Sequence, residues 1–230
     1  KIPFEGKSFP YIFNISTGCP WTKLYRKNFI KENNLQFMEH IVLMIFIFVC
    51  ISLAMAKRVT ILEEKLVNYR KSSGSLQANN ANSPWDWYEA LKAVRTKLME
   101  LGIYEDVEYS YKNYVLDVSF YNLESMGNAQ VFSMVYEKIK KEIFKELGME
   151  ELKKEEINSW NEKYYEQYLQ LKASGEKEYL FYRIKELKKE NQYWMERARK
   201  AEQDTKNNII YITARNIWIM ARRILRKKGN

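Results

Sequence analysis

Beyond residue 57 the chain contains neither histidine nor cysteine: the one histidine is His40 and the two cysteines are Cys19 and Cys50. That absence removes a Cys/His zinc site, a cysteine nucleophile and a Ser-His-Asp triad from most of the sequence. Two cysteines draw neither a disulfide framework nor a CxxC zinc pattern. Glycine is sparse too, 8 in 230 residues, and no GxxxxGK[ST], GxGxxG or carboxylate metal loop occurs. Carboxylate, lysine or tyrosine chemistry remains open, but no catalytic motif is present. The expectation is a non-enzymatic chain with no cofactor and no metal.

What is present in excess is one apolar run. Residues 41–56 hold no charge and end at Lys57-Arg58. The run is slightly short for a bilayer core of about 30 Å, which needs roughly 20 helical residues. Phe37, Met38 and His40 can extend it, and Lys57 and Arg58 can reach the headgroups. A buried core helix is the alternative, but such a helix is rarely apolar on every face. The run therefore predicts a single-pass transmembrane anchor. Five basic residues (Lys57, Arg58, Lys65, Arg70, Lys71) follow it, which predicts N-out topology with a cytoplasmic body. Ala54-Met55-Ala56 offers a second reading, export after signal-peptide cleavage at Ala56.

Residues 1–37 carry three of the four prolines, Pro3, Pro10 and Pro20, and no sustained period. They read as an irregular tail, or as a stretch lying ahead of a start at Met38. The anchor and its basic flank occupy 38–71. Residues 72–84, Ser-Ser-Gly-Ser-Leu-Gln-Ala-Asn-Asn-Ala-Asn-Ser-Pro, read as a flexible linker.

Residues 85–148 read as a small αββα module. Ser83-Pro84-Trp85-Asp86 opens a helix, Trp87, Leu91, Val94, Leu98 and Leu101 step along it, and Gly102 stops it. Val107, Tyr109 and Tyr111 alternate, as do Tyr114, Leu116, Val118 and Phe120, around Lys112-Asn113. Two alternating runs about a two-residue turn predict a hairpin. Val131, Val135, Ile139, Ile143 and Leu147 then form a helix that Gly148 ends.

Residues 149–205 read as a helical hairpin or a short coiled coil. Ile157, Trp160, Tyr164, Tyr168 and Leu171 make one stripe, broken at Ser174-Gly175. Leu180, Ile184, Leu187, Asn191, Trp194, Ala198 and Ala201 then step by four and three, a heptad seam with Asn191 at an a position. Leu180, Ile184, Leu187, Asn191 and Trp194 are the candidate self-association residues.

Charge separates the last segment. Residues 57–205 carry 25 basic and 26 acidic side chains, whereas residues 206–230 carry seven basic and none acidic. This tail reads as a basic amphipathic helix, with Ile209, Ile210, Ile217, Trp218, Met220, Ile224 and Leu225 over an arc of roughly 200°. Arg215, Trp218, Arg222, Arg223, Arg226, Lys227 and Lys228 are candidate contacts to anionic lipid, or more weakly to nucleic acid. A last core helix with a solvated arginine face is the plainer reading.

The fold class expected from the sequence is α+β and mostly helical: a transmembrane helix, an αββα module, a helical hairpin and a basic C-terminal helix. The expected function is a membrane-anchored, non-enzymatic interaction or scaffold protein that recruits a protein partner or a second copy. A membrane-tethered protein contacting nucleic acid through its C-terminal helix is the alternative.

Overall fold

A computed structural model describes residues 2–15, 17–37, 41–68 and 82–227, without the side chains of 41–45 and 210–227. Its helices are α1 (Lys27–Glu32), α2 (Ile41–Met55), α3 (Asp86–Glu100), α4 (Tyr104–Glu124), α5 (Ala129–Lys138), α6 (Phe144–Glu146), α7 (Glu162–Ala173) and α8 (Glu176–Lys227). A π-helical turn, Ile139–Ile143, joins α5 to α6. Two compact units result, Lys1–Glu176 and Lys177–Asn230. Most of the linker expected at 72–84 lies outside the described residues.

The apolar run forms α2, and α2 is a core helix. At 1.5 Å per residue its 15 residues extend about 22 Å, short of the roughly 30 Å a bilayer core requires. Among the described residues no helix is long and apolar enough to cross a membrane. Phe48, Val49, Cys50, Ile51, Leu53 and Ala54 are all buried. A helix apolar on every face needs cover on every side, and over the two turns 48–54 every residue is buried. It lies along α3, Tyr25 and Phe37 pack on Phe48 with ring centroids 5.2 and 4.2 Å away, and Phe46 meets Tyr114 of α4. The expected anchor, the single-pass topology and the membrane-based function are thereby corrected. Both localisation readings, insertion N-out and release by cleavage at Ala56, rested on the same run and lose their basis.

Besides α3, cover for α2 comes from the segment expected to be an irregular tail. Ile12 and Phe13 are buried, and the Phe13 amide donates to Ser110 Oγ at 2.9 Å. Phe4 and Val59 exchange backbone hydrogen bonds in an isolated antiparallel bridge. Gly6 donates to the Ala56 carbonyl at 2.7 Å and passes so close to the end of α2 that a Cβ there would sit 1.7 Å from the Leu53 oxygen.

The αββα module is corrected at its centre. Residues expected to form a hairpin are one continuous helix, α4, and there is no strand among the described residues. Lys112-Asn113, read as the turn, sits in mid-helix. The physical reason is enclosure. From Ser110 to Leu123 almost every α4 position is buried or half-buried, because α2, α3, α5, α7 and the N-terminal segment all contact it. A helix surrounded on most sides can carry apolar residues at any spacing, so an alternating stretch is compatible with it.

The flanking helices follow local rules. Gly102 and Gly148 take φ of +64° and +77°, the left-handed turn that ends a helix. Trp85, not Ser83, is the N-cap of α3, and its side chain makes no capping bond. Asn128 caps α5, accepting from the amides of Gln130 and Val131 at 2.8 and 3.2 Å. Ile139 and Ile143, at the two ends of the π turn, are both buried in the core. Phe144 of α6 meets Phe120 of α4 and Tyr168 of α7 at 6.0 and 5.3 Å, joining the three helices.

Candidate functional site

Two kinds of feature compete as a site: polar clusters inside the first unit, and the long helix of the second. The clusters are structural. In the largest, Asn113 of α4 donates to the carbonyls of Tyr109 and Glu156 at 2.8 Å and accepts from the Asn158 amide at 2.9 Å. Asn161 donates to the Asn113 carbonyl at 2.8 Å. All three asparagines are buried. Together they fasten the irregular chain at 153–161 to α4.

Charges beside this network are paired. Lys112 bridges Glu156 and Glu108; burial opposes its charge, but the two carboxylates hold its pKa above the ordinary lysine value. Asp117 accepts from Asn14 at 2.8 Å, and burial raises its carboxyl pKa. At the α3–α6 contact the Tyr88 hydroxyl donates to Glu146, which also pairs with Lys92 at 3.1 Å. These groups satisfy one another.

No group of three or more His, Cys, Asp or Glu residues among the described ones is placed to hold a metal. A shallow depression of about 350 Å³ lies between Trp85 and Met134, rimmed by Glu137, Lys138, Lys141 and Glu142. Lys138 spans it, its ammonium 4.5 Å from the centroid of the Trp85 ring. Nothing in that rim converges on a small molecule.

The second unit is helical from Lys177 through Lys227, the greater part of α8, which at 1.5 Å per residue extends about 78 Å over 52 residues. The five candidate self-association residues fall on it, and all are exposed: Ile184, Leu187 and Trp194 by half or more, Leu180 by 37 % and Asn191 likewise open. Phe181 and Met195 add exposed apolar surface. Helical registration of the heptad puts Ile184, Asn191 and Ala198 at a, and Leu180, Leu187, Trp194 and Ala201 at d. Phe181 and Met195 then fall at e, Glu190 and Arg197 at g.

The sequence reading named the a and d residues and passed over these flanks, although heptad lettering alone locates them. Arg197 is held beside the seam by its neighbours: its guanidinium stands 5.6 Å from the Trp194 ring centroid and 5.8 Å from that of Tyr193.

Set against known families, characterised proteins and solved structures, the chain matches none.

The basic tail belongs to the same helix, since the α8 backbone continues to Lys227 without a break after 205. The side chains of Arg215, Trp218, Arg222, Arg223, Arg226 and Lys227 lie outside the described residues, as does Lys228 entirely. They therefore contribute no geometry to the site.

Proposed function

We propose that this is a non-enzymatic interaction protein whose long helix α8 docks a partner helix along the seam Leu180–Ala201. One observation carries the reading: a heptad of large apolar residues stands exposed on a helix. Isolated helices gain little stability from propensity, and in proteins most of it comes from packing an apolar face. An exposed run of Ile184, Leu187 and Trp194 on a helix is surface awaiting cover. Helix-in-groove and coiled-coil docking both read an amphipathic helix through anchors spaced by three and four.

The test replaces Ile184 and Leu187 together with Glu in the full chain. Complex mass is then measured by light scattering, for the chain alone and for the chain in extract of its producing cells. The expected outcome is a complex in at least one setting that the double variant loses, with the melting of the first unit unchanged. A variant that assembles like the parent in both settings overturns the reading.

A further inference from the structure

Building on that reading, we infer that the partner helix is a second copy of α8, docked antiparallel across the seam 184–201. Residue size along the helix selects this arrangement over a parallel one, and charge gives the two arrangements different partners for Glu190.

The first pattern is size. The N-terminal half of the seam is large, Ile184 and Leu187, and the C-terminal half is small, Ala198 and Ala201. In a parallel pair each residue meets its own copy, so Ala198 and Ala201 stack as two thin layers next to a Trp194–Trp194 layer that is overfilled. Voids and overpacking both destabilise a dry interface. Antiparallel pairing sets a against d. Ile184 then meets Ala201 of the second copy, Leu187 meets Ala198, and Asn191 meets Trp194. Every large residue finds a small one, over an overlap of 18 residues or about 27 Å.

The central layer also solves a polar problem. A buried Asn and a buried Trp each need a hydrogen-bond partner. With Asn191 opposite Trp194, the indole N–H donates to the Asn amide oxygen, and the two-fold axis repeats the bond. In the parallel arrangement the Trp N–H has no such acceptor in its layer.

The second pattern is charge. Antiparallel helices bring g positions face to face, and in this register Glu190 stands opposite Arg197 of the second copy. Symmetry makes that two ion pairs. The parallel arrangement instead sets Glu190 against Met195, gives it no cation, and pairs Arg197 with Glu202 of the second copy, so Glu190 is the residue that tells the two arrangements apart. Arg197 is already placed for the contact, laid along Trp194 at the border of the seam. Arg183, at the g position one heptad before Glu190, is buried and engaged elsewhere, so the pairing does not call on it.

The test exchanges these charges in the full chain and reads association by sedimentation equilibrium, with circular dichroism to confirm helix content. The parent is expected to be a dimer. Glu190→Arg alone and Arg197→Glu alone each place two like-charge pairs across the interface and should weaken the dimer at least ten-fold. An equimolar mixture of the two single variants should recover parent-like association as a heterodimer. In that mixed pair position 190 of the first variant and position 197 of the second carry opposite charges again. The double exchange should recover association within one chain. A parent that stays monomeric at high concentration overturns self-pairing; if cell extract still yields a seam-dependent complex, the broader reading stands without it. A dimer indifferent to Glu190→Arg overturns the antiparallel register while leaving docking along the seam intact, whether or not Arg197→Glu weakens it.

Discussion

Asn113 and Asn158, 45 residues apart, meet inside the first unit, where the Asn158 amide donates to Asn113 Oδ1 at 2.9 Å. Asn113 also donates to the carbonyl of Glu156, so one side chain satisfies backbone on both sides of a bend. The chain at 153–161 has little helix of its own, only the turns Lys154–Glu156 and Ser159–Asn161. Its buried polar groups therefore depend on α4.

Asn113→Ala is expected to strip partners from the Asn158 amide and the Glu156 carbonyl at once. Each buried polar group left unpaired costs about 1–3 kcal/mol, so a loss of roughly 2–6 kcal/mol is expected. Urea unfolding of the full chain checks it. A change below about 1 kcal/mol, with the 153–161 amides still slow to exchange, would show that the network is dispensable.

Gly6→Ala is expected to loosen the N-terminal segment from α2. The new methyl group would meet the Leu53 carbonyl oxygen, which is backbone and has little room to retreat. Overpacking of this kind costs roughly 1–3 kcal/mol. Hydrogen exchange should quicken at Phe4, Gly6 and Val59, whose amides carry the bridge. Unchanged protection at those three positions would count against the packing described.

Cys50 gives a pH dependence with a defined sign. Burial pushes its thiol from an ordinary 9.0 up to about 12. Below pH 9 both folded and unfolded chains hold the proton, and the thiol's contribution to stability is fully present. Between about 9 and 12 the unfolded chain ionises while the folded one does not, so stability falls as pH rises, by about 1.4 kcal/mol per unit. Tyr111 and Tyr114, also pushed up by burial, act in the same direction from about pH 10. Thermal melts from pH 7 to 11 should show this decline, and Cys50→Ala should make it shallower. Alkylation offers a second measurement, since Cys50 should resist iodoacetamide until the chain is unfolded. Rapid labelling of Cys50 in the native protein would contradict its burial.

The glycine stops in the sequence stand where the structure ends two helices, and the heptad pattern from Leu180 to Ala201 lies on a helix. Gly102 and Gly148 stop helices because only glycine enters the left-handed region cheaply, a property of the residue itself. The seam of α8 is legible for a similar reason: it is a periodic pattern on one uninterrupted helix, independent of what lies elsewhere. The α4 hairpin and the α2 anchor failed for the opposite reason. Both are helices enclosed on several sides, and enclosure removes the one-faced periodicity that marks a surface helix.

Fifteen apolar residues without a charge specify only that water must be excluded from every face of α2. Whether lipid or protein excludes it depends on what the chain can bring to those faces. Here Tyr25, Phe37, α3 and Tyr114 do so, from positions up to 68 residues away from Phe46. The asparagine network is likewise invisible in the sequence, since Asn113 and Asn161 acquire their meaning across 48 residues. Composition and period determined α3, the helix stops at Gly102 and Gly148, the charge of the tail and the heptad pattern along α8. Which helix became the centre, and what covered the apolar run, was decided by long-range packing, because burial belongs to a residue's neighbours in space.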